Sequence, residues 1–244
     1  MNTVQYVGLS RQETLKRALE IAANNIANAD TAGFKIEQQM VRVEEATPFA
    51  TPGARPVAYV LDHGVARDFS QGGLEESGNA YDIAIEGDGF YAIQTADGTR
   101  YTRDGRFTVD AQNQLVTKMG DPVLGNNGRP IVLNPIGGEA NVGKDGTISQ
   151  GMVPVGRLGA TRFADLSLLK KVGDNQFEAP ADAVSTPAAD AVMRQGMVER
   201  SNVQPVLEIT NLIEITRAYE RVARMMEQSG DLSTRAIDRL GRIN

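Results

Sequence analysis

From Thr3 to about Asn28 no Pro interrupts the chain, and Leu15, Leu19, Ala22 and Ile26 recur at alternating steps of four and three. That is the period of an amphipathic helix. Its stop signal is Asn28-Ala29-Asp30-Thr31-Ala32-Gly33, where Asx residues and a glycine able to adopt positive φ follow the last periodic position. Phe34 then leads into extended chain. Over residues 34–77 the helical period is lost: Pro48, Pro52 and Pro56 break any long helix and Gly72-Gly73 marks a turn. This stretch reads as a connector with extended and β segments.

From Gly78 the texture changes. Tyr81, Ile83 and Ile85 alternate with Asp82, Ala84 and Glu86, the two-residue period of a half-buried strand. Asp97-Gly98, Asp104-Gly105, Asn127-Gly128 and Asp145-Gly146 supply hairpin turns between strand-like runs such as Arg106 to Val109 and Pro130 to Leu133. Residues 78–190 are therefore expected to form an all-β domain, ending in an Ala, Pro and Asp rich link. Residues 191–244 form the carboxy-terminal helical segment. Ser201 followed by Gln204 fits a capping box, and Pro205 suits a first helical turn, where amide donors lack intrahelical acceptors. Leu212, Ile215, Tyr219, Val222, Met226, Ser229, Ser233, Ala236, Leu240 and Ile243 then keep three and four spacing, the seam of a coiled-coil-like helix. The fold class expected is α+β: long amino- and carboxy-terminal helices (1–33 and 191–244) pairing as a coiled-coil-like stalk, an extended connector and a central all-β domain.

The carboxy-terminal stripe would run roughly 50 Å at 1.5 Å per residue, longer than a compact β domain of this size is wide. Pairing with the amino-terminal helix would cover one side and leave Ile209, Ile213 and Ala223, a second apolar row, in water. Neighbouring copies would cover it. The same pattern also fits a two-helix hairpin packed on the sheet of a monomer. Asn24 and Asn28 lie four apart on one helical face and Asn25 flanks Ile26. They either fix register as buried polar groups or help to end the helix.

Composition narrows the function. Lys and Arg number 25 against 31 Asp and Glu, with no like-charge run, so nucleic acid is not an expected partner. The chain has no Cys, which removes thiol nucleophiles and Cys-ligated metal. Met1 to Lys16 lacks the apolar stretch of a cleaved secretory signal, and no run of 18 apolar residues exists for membrane insertion. Gly138-Glu139-Ala140-Asn141-Val142-Gly143-Lys144 has the glycine and lysine spacing of a phosphate-binding loop, but Asp145 stands where the Mg²⁺-linked hydroxyl belongs and Asp145-Gly146 opens a turn instead of a helix. His63 is the only histidine and lies in the connector, so a two-histidine metal site is impossible. Asp82, Glu86, Asp88, Asp97, Asp104 and Asp110 mostly sit beside Gly as turn residues, and nothing selects two of them as an acid pair. No catalytic residue, cofactor or metal site is expected.

The block Ala23-Asn24-Asn25-Ile26-Ala27-Asn28-Ala29-Asp30-Thr31-Ala32-Gly33-Phe34-Lys35 resembles the amino-terminal signature of bacterial flagellar rod and hook proteins. Glu86-Gly87-Asp88-Gly89-Phe90-Tyr91, Tyr101-Thr102-Arg103-Asp104-Gly105-Arg106-Phe107 and Gln195-Gly196-Met197-Val198-Glu199-Arg200-Ser201-Asn202-Val203, running to Thr216-Arg217-Ala218-Tyr219-Glu220, look like the same family. Pro122-Val123-Leu124-Gly125 and the short length resemble its proximal-rod members most; distal-rod members come next. Outside the family, the alternative is a secreted β-domain enzyme or adhesin on a helical stalk. The resemblance implies a structural subunit of the periplasmic rod in the basal body, transmitting torque. It would be exported by the flagellar type III apparatus without a cleaved signal and would polymerise helically with itself and other rod subunits around the export channel. The assembly positions it implies, together with the apolar rows, are Leu15, Leu19, Ala22, Asn24, Asn25, Ile26, Asn28, Gly33, Phe34, Ile209, Leu212, Ile213, Ile215, Tyr219, Val222 and Met226.

Overall fold

A computed structural model describes residues 3–46 and 57–241. Pro48, Pro52, Pro56 and Ile243 lie outside the described residues, as do the side chains of His63, Ser233, Ala236 and Leu240. The first element is α1 (Thr3–Ala27), and the last is α2 (Pro205–Gly241), of 37 residues. Between them lie β1 (Glu37–Ala46), β2 (Val57–Arg67) and a run of short strands from Leu74 to Glu199. The chain is α+β.

It divides into two units, neither of which is continuous in sequence: residues 1–27, 37–68 and 204–244 form one, and residues 28–36 and 69–203 the other. The expected connector is therefore split. Its described residues include a long antiparallel strand pair, with Glu37 opposite Arg67 and Ala46 opposite Val57, and a register shift between Met40 and Val41. An ion pair from Arg67 Nε to Glu37 Oε1 at 3.0 Å closes its base.

In the helical unit α1 touches α2, β1 and β2. Its buried positions are Gly8, Thr14, Leu15, Ile21, Ala22 and Asn25, while Leu19 and Ile26 are half-buried. The stripe read from periodicity is thus rotated and widened, because the hairpin covers α1 on a flank that a two-helix picture leaves bare. Thr14 is accommodated there by donating its hydroxyl to Ser10 O at 2.7 Å. A Cβ at Gly8 would come within 2.7 Å of Met226 Cγ, and Asn25 bonds Glu208. The early part of α1 thus meets the later part of α2, and the end of α1 meets the start of α2. The helices run antiparallel. Seventeen residues on α1 match eighteen on α2, so they travel side by side.

The β unit is built of short antiparallel pairings, the largest sheet being Lys170–Gly173, Gln176–Glu178, Gly98–Thr102 and Tyr91–Thr95 in that order. Ile83, Ile85, Tyr91, Ile93, Leu115 and Val123 lead its main core. Ile83, Ala84 and Ile85 are all about 1% exposed, so this strand is covered on both faces rather than half-buried as its alternation suggests. Few though the aromatic residues are, they gather: Phe69, Phe90, Phe163 and Phe177 stack edge to face or tilted, at centroid distances of 5.3 to 6.0 Å, forming a second core.

Turns at Gly128 and Gly146 have positive φ, as Asn-Gly and Asp-Gly turns require. Gly105 does not; it is glycine because a Cβ there would fall 1.8 Å from Ile83 O. Residues 140–142 of the phosphate-loop-like string form a strand, and Asp145 accepts hydrogen bonds from Thr147 N and Oγ1, which hold its carboxyl below the usual range. Residues 191–203, expected as part of the helical segment, are extended: Val192–Gln195 pairs with Ile83–Glu86, and Met197–Glu199 with Leu74–Glu76. Ser201 is not a helix cap. Its Oγ accepts from Val203 N in a local turn, and α2 begins at Pro205.

Because residues 28–36 belong to the β unit, deletion of residues 2–27 leaves that unit's cooperative urea transition in place. Extending the deletion through residue 36 removes Phe34 and Lys35, both about 2% exposed. That lowers stability by about 3 kcal/mol or more, read from the transition midpoint at a constant slope.

Candidate assembly interface

The helical unit is organised around Asn25 in the last turn of α1. Its Oδ1 accepts from Glu37 N at 2.9 Å, and its Nδ2 donates to Glu37 O at 2.8 Å and to Glu208 Oε2 at 3.1 Å. One carboxamide thus satisfies both backbone groups of the first β1 residue and ties α1 and β1 to α2. Of the three asparagines, Asn25 is the buried one. Asn24 is exposed. Asn28 ends the helix, accepting from Thr31 N through its carbonyl and from Thr31 Oγ1 through Oδ1, each at 3.1 Å.

No described residue of α2 is buried. Leu212, Ile215, Tyr219, Val222 and Met226 are half-buried and lie on the side of Glu208 and Met226 that touches α1. Ile209 and Ile213 are 47% and 46% exposed, with Val206 and Leu207 more open still, and Ala223 is half-buried. The row that one helical partner would leave wet is wet, except at Ala223. Burying it against another chain would contribute about 25 cal/mol per Å² of apolar area. On α1, Tyr6 and Leu9 are also about half exposed.

Gly33 and Phe34 sit elsewhere. Gly33 has φ of 66°, and a Cβ on it would approach Arg103 C within 2.6 Å; its N–H donates to Glu199 O at 2.8 Å. Phe34 packs with Ala29 and Val203 under the Lys171 ammonium, 4.3 Å from the ring centroid. Both are interior to the β unit, so they hold the chain's own structure rather than present a surface.

Beside them lies a group of charges that periodicity does not flag. Glu199 Oε1 pairs with Lys35 Nζ at 2.6 Å and accepts from Gly72 N at 3.0 Å; Glu199 Oε2 pairs with Arg103 Nε at 2.8 Å. The three side chains are no more than 4% exposed. Two cations face one anion, and the surplus positive charge is met by carbonyls: Ser70 O accepts from Lys35, and Gly87 O and Gly89 O accept from Arg103. Nearby, burial pushes the Tyr91 phenol well above its ordinary pKa, so it stays a neutral donor to Ile83 O at 2.7 Å. The only local signal for this trio is a charge inside an apolar or turn setting, as in Phe34-Lys35-Ile36 and Val198-Glu199. Each charge falls in one of the family-like blocks.

Comparison with known proteins follows the same segments. Residues 6–35 match the flagella basal body rod protein family, residues 84–150 the flagellar hook protein FlgE/F/G D1 domain, and residues 194–239 the flagellar basal body rod FlgEFG protein C-terminal family. The chain is 53% identical to the flagellar basal-body rod protein FlgF of Caulobacter vibrioides over the full length of both. It is 38% identical to FlgF of Mesorhizobium japonicum, covering 97% of each chain. To the flagellar basal-body rod protein FlgG of Buchnera aphidicola it is 31% identical, over 88% of this chain and 90% of the relative.

Two substitutions separate the roles. Glu199→Ala strands two buried cations and should destabilise the β unit by about 3 to 5 kcal/mol in urea unfolding. Asn25→Ala leaves Glu37 N and O without those partners and should cost about 1 to 3 kcal/mol. Its signature is faster amide exchange at Glu37 with the β unit's transition unmoved.

Proposed function

The chain belongs to the flagellar basal-body rod protein family, and we propose that it builds the proximal part of the rod. It is a structural subunit of the flagellar basal body, serves motility, and assembles with other rod subunits. As a member of a structural family it is not an enzyme, which removes the secreted enzyme or adhesin reading. The proximal position is supported by full-length identity to FlgF proteins, higher than the identity to FlgG.

The observation that carries the mechanism is the uncovered row Val206, Ile209 and Ile213 on α2. In the proposed mechanism α1 and α2 pair as a coiled-coil-like stalk, and stalks from successive copies and from other rod subunits close around the export channel. Each stalk then covers a neighbour's wet row. The antiparallel contact of the two helices and their three and four spacing support this pairing. A helical wall formed by repetition of one heterologous contact transmits torque, because no subunit turns without its neighbours. Export through the flagellar type III apparatus without cleavage of a signal is part of the same proposal. No described helix is long and apolar enough to cross a membrane. Nucleic acid has no part in it, and no cofactor is required.

Ile213→Asp tests the proposal. Placed on a face already open to water, the carboxylate should change monomer stability by no more than about 0.5 kcal/mol. In the assembled rod it would be buried without a partner, a penalty of several kcal/mol. The expected result is a folded monomer by circular dichroism, and cells with truncated rods that do not swim. Normal basal bodies and swimming cells would contradict the reading.

A further inference from the structure

The outer faces of the two helices carry matched charge patterns as well as apolar positions. On α2, Ile209, Ile213, Arg217, Glu220 and Arg224 are all exposed and fall within about a quarter of the helix circumference. This stripe is turned roughly 140° from the side that meets α1. On α1, the exposed Glu13, Lys16, Glu20, Ala23 and Ala27 form an equally narrow stripe on the side away from the buried positions. Read in opposite directions, the two complement each other. Glu13 meets Arg224, Lys16 meets Glu220 and Glu20 meets Arg217, while Ala23 and Ala27 leave room for Ile213 and Ile209.

We propose, resting on the rod reading above, that the outer stripe of α1 packs antiparallel on the outer stripe of α2 in a second copy of this chain, in this register. The register differs from that inside the chain. There Asn25 lies against Glu208, which sets Glu20 beside residues 213 and 214; between copies Glu20 lies against Arg217. Successive copies are thus displaced by about three residues, or about 5 Å along the helix axis. The undisplaced alignment is disfavoured because it sets Lys16 near the like-charged Arg217 and the Glu20 carboxylate against the apolar Ile213. Opposite charges along such a seam select register more than they add affinity. Because the contact joins two different faces with an offset, it cannot close as a dimer and repeats as an open helix.

The chain contains no cysteine, so the register can be read by disulfide formation. Lys16→Cys with Glu220→Cys, in full-length chain supplied to cells lacking their own copy, should give a ladder of linked chains in oxidised basal bodies. Leu9→Cys with Arg217→Cys, far apart in this register, should give none. Variant chain recovered in basal bodies with no ladder, or with a ladder from the second pair only, overturns the register and leaves the rod reading standing. Absence of the unmodified chain from basal bodies overturns the rod reading itself. Charge reversal gives an independent test. Glu20→Arg alone and Arg217→Glu alone should each lower incorporation, and the two together should restore it. Restoration cannot come from the intrachain pair of Glu20 with Arg17, whose side chains are about half exposed and which the double variant still lacks. Failure of the double variant to restore incorporation overturns the proposal.

Discussion

A helix packed from one side keeps a wet side, and α2 is the longest element of the chain. Its inner seam meets α1 and becomes half-buried, yet Val206, Ile209 and Ile213 stay in water. Among the described residues, α1 meets only one side of this 37-residue helix, and the other side stays open. In the proposed rod the cover comes from another subunit. Family membership identifies what that subunit is, and the uncovered row supplies the physical reason for assembly.

The second organising feature is the carboxylate of Glu199. It lies six residues before α2 begins, and its partner Lys35 lies eight residues after α1 ends. The chain therefore leaves one helix and approaches the other through a single buried ionic cluster in the β unit. Removing the anion would leave two buried cations without their counter-ion, which is far costlier than losing a surface pair. Gly33 belongs to the same arrangement, since its missing Cβ lets the backbone approach Arg103 and its amide reaches Glu199 O. The block ending in Gly33-Phe34-Lys35, the block containing Arg103 and the block containing Glu199 are three sides of one site. Each blocks the solvation of the others.

Local pattern was enough for part of this. The helix stop at Asn28 to Gly33 and the exposure of Ile209 and Ile213 follow from spacing and turn chemistry. What was illegible depends on partners far away in sequence. The strand Ile83–Glu86 looks half-buried until Val192–Gln195 pairs with it. Asn25 looks no different from Asn24 until Glu37 and Glu208 arrive at its carboxamide. Nothing local marks Lys35, Arg103 and Glu199 as buried, because their burial exists only once three distant segments meet. The pairing of β1 with β2 hides within a connector-like stretch because Pro48, Pro52 and Pro56 fall between the two strands.

In the proposed assembly the outer row of α2 is open in the single chain and closed in the rod. Hydroxyl-radical footprinting of Val206, Ile209 and Ile213, in purified monomer and in isolated basal bodies, measures that directly. Strong labelling of all three side chains in the monomer, with protection of Ile209 and Ile213 in the basal body, is the expected result. Equal labelling in both states would contradict it.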